Sequence, residues 1–376
     1  MFEVGDSLVE KLDEESARVD RIDAMRRGIS IVTLAALALA CDTPAQQPLQ
    51  LPIAVANNAL AGLEIDGTPH LFSFSGLGAG KTHSDITSAA FSVDLRAGTV
   101  TRLADVPGGK DRLASVAVGL YDRIFIFGGY TVAEDGSEVS TPEVYAFNPD
   151  DGNYQRRADM PTPVDDTVAF AYANRYIYLV SGWHNDGNVT DVQVFDTWED
   201  RWFPATEYPG TPVFGHAGGI VGNTIVIADG VGIVGAADGR RGFALVGEAY
   251  KGTINPADPS DITWEAVSPH PGAPLYRMAA VGSEADGVVV FAGGSDNPYN
   301  FDGIGYDGEP SEPTARVFAF DPTTDEWVAF AAKPLATMDH RGLVAFDGVF
   351  HTIGGMVAGQ TVTSRISAFT LEPPGR

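Results

Sequence analysis

Six positions in this chain of 376 residues carry side chains that could gather chemistry around one axis: Asn58, Arg112, Asp165 or Asp166, His216, Arg277 and His340. Each enters an apolar segment of alternating character. If those segments are strands set around a common axis, their starts converge on the mouth of a channel. Two Arg, two His, an Asn and an Asp there suit a small hydroxylated or anionic ligand, or a hydrated channel whose polar groups satisfy one another and trapped water. Both readings stand. His216 and His340 lack the local spacing of a metal motif, so no metal is expected. Two loops add flat faces. One is Trp183-His184-Asn185-Asp186, and the other is 295–316, with Tyr299, Phe301 and Tyr306 among Asp296, Asn297, Asn300, Asp302 and Asp307. The longer loop reads as a sugar-stacking platform, a lid over the channel or a plain assembly of Asx and Pro turns; its oxygen spacing is not that of an EF-hand.

The elements that must position these residues repeat along the chain. A unit opens on an alternating segment, crosses a polar turn, runs through an apolar strand to a Gly pair, and later shows an aromatic strand, a turn, an aromatic and a Pro. Arg112-LASVAV, IFIFGG, EVYAFNPDDGNY and Met160-Pro161 make one unit; Arg277-MAAVGS, VVVFAGG, RVFAFDPTTDEW and Pro334 make another. Units of this kind with a period of roughly 40 to 60 residues signal a propeller. Six are legible, and the last stops before its aromatic strand. Leu49-Gln50-Leu51-Pro52 has the character of that missing outer strand, so pairing of the two chain ends is expected to close the circle and remove an open edge. The fold class is therefore all-β: a six-bladed propeller of four-stranded antiparallel blades over 49–376. Tyr154, Trp202, Trp264 and Trp327 recur at one position in the repeat and are expected between blades.

Composition narrows the function. With 24 Lys and Arg against 50 Asp and Glu, the formal charge is −26. Neutralising phosphates needs clustered cations, so nucleic acid is not an expected partner. The single Cys, Cys41, follows Met25-Arg-Arg-Gly and an apolar run from Ile29 to Ala40. That order reads as an export signal over 25–40, too short for a comfortable membrane span. Residues 1–24 read as a misassigned upstream start. Ala38-Leu39-Ala40-Cys41 resembles a bacterial lipoprotein processing site, with Cys41 lipidated, a linker to residue 48, and membrane contact through the lipid alone. Ordinary secretion is the other reading. A periplasmic or outer-membrane location and a monomer are expected.

The Gly pair, the aromatic strand and the later aromatic-then-Pro resemble the kelch-repeat β-propellers over nearly all of Leu49 to Glu372. The opening segment LPIAVANNALAGLEIDGTPHLF and the later DVPGGKDRLA resemble the bacterial N-acetylneuraminate epimerases, which are sialic acid mutarotases. That resemblance implies a Glu just after the fourth-blade Gly and an Arg a little further on. Here Val231 stands where the Glu is implied, leaving Asp229 as a substitute carboxylate and Arg240 or Arg241 for the Arg. Galactose oxidase, another kelch-type enzyme, needs a Tyr joined to a Cys; Cys41 lies outside the propeller, so that copper chemistry and its cofactor are not expected. No cofactor fingerprint is present. The expectation is a binding module for a small molecule or glycan, most plausibly carbohydrate, at one face. A sugar mutarotase and a scaffold for a protein partner are the alternatives.

Overall fold

The computed structural model describes residues 48–235 and 241–375. The expectations for Cys41, the export segment and Arg240 lie outside them. Five four-stranded antiparallel sheets stand in sequence around an axis, and a sixth sheet of three strands completes the circle. Their innermost strands are Ala59–Ile65, Val116–Leu120, Val168–Tyr172, Ala217–Val221, Ala279–Ser283 and Val344–Phe346. The sixth blade gains its outer edge from the other end of the chain. Gln50 pairs with Arg365, Leu51 N–H donates to Ser364 O at 2.8 Å, and Ile366 N–H donates to Leu49 O at 2.9 Å. No α-helix occurs among the described residues, and none of the helical turns is long and apolar enough to cross a membrane.

Alternation explains the layers. Successive residues of a strand face opposite sides, so each sheet buries both faces between its neighbours. Phe74, Ile126 and Phe147 fill the layer between blades 1 and 2, and Phe127, Leu179 and Phe195 fill the next. The repeating aromatics lock the layers together. The indole N–H of Trp202, Trp264 and Trp327 donates to Ala158 O, Thr206 O and Ser268 O of the chain entering each blade, and the Tyr154 hydroxyl donates to Ala104 O. Each ring thus buries its apolar body while its polar tip is satisfied.

A ring of backbone sits on the axis. Asn57, Ala114, Asp166, Gly215, Arg277 and Asp339 precede the six inner strands, and all have φ between 48° and 69°. In this left-handed conformation each hands a carbonyl to the next blade: Ala114 N–H to Asn57 O, Asp166 to Ala114, Gly215 to Asp166, Arg277 to Gly215, His340 to Arg277, and Asn57 to Asp339. Five of the six are not Gly, at roughly 1 to 2 kcal/mol each, so the closed hydrogen-bonded circle must hold them there. The Gly at the end of each second strand, alone as at Gly76 or the second of a pair as at Gly294, packs beside this ring. A Cβ on Gly76 would come 2.7 Å from Ala56 O, and one on Gly294 2.9 Å from Tyr276 O.

Loops between the second and third strands all rise on the ring side. Four carry small hairpins: Tyr130–Val132 with Glu138–Ser140, Trp183–His184 with Gly187–Asn188, Val231–Gly235 with Arg241–Leu245, and Met356–Val357 with Thr361–Val362. The fifth-blade segment 295–316 folds across the axis toward blades 6 and 1. Lys81 Nζ donates to Asp302 O at 2.7 Å, and Gln360 Nε2 donates to Ser311 O at 2.8 Å. That half of the face is covered, and the half above blades 2 to 5 stays open.

Candidate functional site

The open half holds a cup of about 400 Å³. Blades 2 to 5 build its wall from Tyr130 and Glu138, then Asp165, Trp183 and Asp186, then Phe214, Arg241 and Phe243, and finally Phe301 and Tyr306. The aromatics support one another: Trp183 meets Phe214 edge-on at 5.3 Å, and Phe243 lies 4.4 Å from Tyr306. Arg241 sets its guanidinium carbon 5.4 Å from the Trp183 ring centre. Asp165 accepts from Ser140 Oγ at 2.6 Å, and Ser140 is held in turn by Asn185. Burial, and then the neighbouring Asp166, push the Asp165 carboxyl well above the ordinary carboxylate range. Glu138 opens to solvent at the rim, yet the protein crowded around it raises its carboxyl by desolvation.

A buried charge quartet forms the floor. Arg277 grips Asp166 with two donors at 3.1 and 2.6 Å and reaches Asp339 at 2.8 Å, while Arg341 lies 2.5 Å from Asp166. Burial works against the Asp166 charge, but Arg277 and Arg341 outweigh it and hold the carboxyl low. For Asp339 burial wins and its carboxyl rises. Arg341 reaches the axis because the sixth inner strand carries one extra residue. Met338 pairs with Met356 and Val344 with His351, so five residues face four. Such a bulge re-aims a side chain.

Below the ring lies a second cavity, about 350 Å³, along the axis. The inner strands line it mainly with Gly, Ala and Val, and with Phe170 and Phe346.

The expected ring of polar side chains divides between these places. Asp165, Trp183, Arg241, Arg277 and Tyr306 come together at the cup. Asn58, His216 and His340 sit one residue past the backbone ring and turn away from the cup. Asn58 Nδ2 donates to Ser73 Oγ, His216 Nε2 pairs with Val180 O at 2.9 Å, and His340 Nε2 pairs with Thr337 Oγ1 at 2.7 Å. Burial pushes His216 down to about 4 and holds His340 well below the ordinary imidazole value. Arg112 requires a correction. It stands two residues before its ring position, Ala114, and points into blade 2, bonding Gly128 O and Thr141 Oγ1 beside Glu143. Asp229 is also removed from any acid/base role at the cup. His270 Nε2 and the Leu275 N–H both hold its Oδ2 at 2.7 Å between blades 4 and 5. Tyr299 is fully buried on Tyr276, 5.0 Å between centroids, and plugs the axis where a stacking face was expected. His184 stands behind the wall with Nδ1 against Pro163 O at 2.6 Å. In the 295–316 loop, Asp302 and Asp307 cap their own turns at Ile304 and Glu309. Among the described residues no three His, Cys, Asp or Glu converge to hold a metal ion. Glu138, Phe243, Asp339 and Arg341 escaped the sequence reading; only the alternation of 130–140 hinted that Glu138 lies on a hairpin.

Comparison with known proteins places this architecture. No family model matches the chain. Kelch-like protein 15 of mouse is 24% identical over 62% of the chain, and the match spans 37% of that protein. The chain thus covers little more than a third of that relative's length. The N-acetylneuraminate epimerase of Pasteurella multocida is 23% identical over 72% of the chain and 80% of its own length. The solved structure of YjhT superposes with a TM-score of 0.66 at 15% identity, covering 85% of this chain and 99% of that one. Repeat, blade count and these likenesses define a kelch-repeat β-propeller. Within that class it has a distant homologue in the neuraminate epimerase. Val231, where the sequence resemblance implies a Glu, is fully buried.

Proposed function

We propose that this propeller binds a small carbohydrate in the loop-face cup. The observation that carries the reading is the pairing of flat apolar rings, Trp183, Phe243 and Tyr306, with acceptor groups, Glu138, Asp165 and Asp186, around one cavity. Sugar rings present CH faces to aromatics and hydroxyl donors to carboxylates, and a monosaccharide fits a volume of this order. Saturation-transfer NMR on the purified chain with a panel of monosaccharides tests it. Trp183→Ala should weaken the best ligand about tenfold, the scale of one aromatic anchor; loss of no signal in that variant overturns the assignment of the cup.

A sugar mutarotase is the second reading. It is favoured by two carboxyls, Glu138 and Asp165, that burial raises within the same cup, since ring opening needs a general acid and base poised nearer neutrality than an ordinary carboxylate. Anomer exchange above the buffer rate, lost in Asp165→Asn and Glu138→Gln, would establish it; exchange at the buffer rate would sink it. The propeller is further proposed to work outside the cytoplasm, tethered through Cys41. Incorporation of labelled palmitate, absent from Cys41→Ser, is the expected result, and an unlabelled parent protein would refute the tether.

A further inference from the structure

The carboxyl groups of the cup outnumber its free cations, and that imbalance names the ligand more closely. In its floor Arg277 is spent on Asp166 and Asp339, and Arg341, which lines the cavity beneath rather than the cup, meets Asp166. Arg277 therefore has no free edge for a ligand carboxylate. Among the described residues, what remains around the cavity is the carboxyl groups of Glu138, Asp165 and Asp186 and the one guanidinium of Arg241. Among the described residues Glu138 and Asp186 make no side-chain ion pair, and Asp165 has only the Ser140 hydroxyl. The aromatic wall has the complementary property. The faces of Trp183, Phe243 and Tyr306 attract cations through their quadrupoles, and the molecule already uses one of them so, with Arg241 lying over Trp183. A protein of charge −26 adds a long-range field of the same sign.

We infer that the cup selects a cationic ligand, specifically a sugar bearing a free amine, whose ammonium meets Glu138 and Asp186 while the pyranose lies against the aromatic wall. This rests on the carbohydrate reading and sharpens it: acidic sugars are repelled, and neutral or N-acetylated sugars forgo the ion pair. Desolvation keeps Glu138 and Asp165 reluctant to ionise in the empty cup, which is the condition that an incoming ammonium relieves.

Calorimetric titration of the purified full chain at pH 7 with D-glucosamine, glucose, N-acetylglucosamine, glucuronate and choline tests the inference. Glucosamine should bind about tenfold tighter than glucose or N-acetylglucosamine, on the scale of one partly desolvated charge-assisted contact, and glucuronate should bind weakest. Glu138→Gln and Asp186→Asn should narrow the gap between glucosamine and glucose, whereas Arg241→Ala, which removes the resident cation, should widen it. The opposite signs separate a charge effect from general damage to the site. Glucose binding as tightly as glucosamine overturns the charge inference and leaves the carbohydrate reading. Choline matching glucosamine while glucose is silent overturns the carbohydrate reading and leaves cation selection. Silence from all five overturns both.

Discussion

The two cavities on either side of the backbone ring have similar volumes, about 400 and 350 Å³, and different linings. The cup is walled by charged and aromatic side chains on loops, whereas the channel beneath is walled mainly by the small residues of the inner strands, with His216, His340 and Arg341 at the ring end. Crowding is the cause. Six strands converge on the axis, and their backbones approach so closely that a Cβ on Gly119 would collide with Gly62 O and one on Gly282 with Ile220 O. Loops above the ring escape that constraint, so a rigid scaffold can carry variable chemistry there. Carboxyl groups and aromatic rings in this propeller therefore gather on the loops, where packing has ceased to dictate residue size.

Four measurements break or sharpen this contrast. The largest effect is expected at the ring itself. Arg277→Ala strands Asp166 and Asp339 without their cation, and breaking a buried pair in this way costs about 3–5 kcal/mol; urea unfolding measures it, and a loss below 1 kcal/mol would mean that the quartet does not hold the ring. Next comes the channel side, where His216 is buried neutral with its pKa pushed down to about 4 from 6.5. A base depressed on folding contributes stability that is present above pH 6.5 and lost as pH falls toward 4, on the order of 3 kcal/mol in all. His216→Gln should flatten that part of the pH profile, and an unchanged slope would contradict the burial argument. Gly282→Ala should cost about 2 kcal/mol through overpacking against Ile220, while Gly187→Ala in the third-blade loop, whose Cβ would meet only the end of Ile233 at 3.7 Å, should cost less than half as much in the same unfolding assay. The smallest effect belongs to the cup. Asp165 is raised on folding, so its contribution is present at acid pH and lost as pH rises through its folded pKa. Asp165→Asn should raise the melting temperature at pH 8 relative to pH 5, the reverse of the His216 dependence. Equal shifts at both pH values would show that Asp165 stays ionised.

Much of the fold was legible because its signals are local and repeated. The Gly pairs, the aromatic before each Pro and the outer-strand character of Leu49-Gln50-Leu51 recur or complete a recurrence, and the pairing of Gln50 with Arg365 closes the sixth blade. The site was legible only in part. Trp183, Tyr306 and Asp165 stood out by type and loop position. Arg112 and Arg277 precede nearly the same sequence, LASVAV and MAAVGS, yet Arg277 occupies the ring and Arg112 lies two residues short of it. The two-residue offset takes Arg112 off the left-handed ring position, which Ala114 holds, and into the segment entering blade 2, where Gly128 O and Thr141 Oγ1 receive its guanidinium.

The sequence by itself determined a six-bladed kelch-type propeller, its closure by the chain ends and the face on which its long loops rise, because blade packing depends on alternation, glycine and aromatic clamps that every repeat restates. Only the tertiary structure decided which polar groups meet. The bulge that carries Arg341 to Asp166 and the capture of Asp229 by His270 join residues from different repeats, and the burial of Tyr299 on Tyr276 belongs to an insertion that the fifth blade alone carries. No period announces such contacts, since they arise where the six units depart from one another.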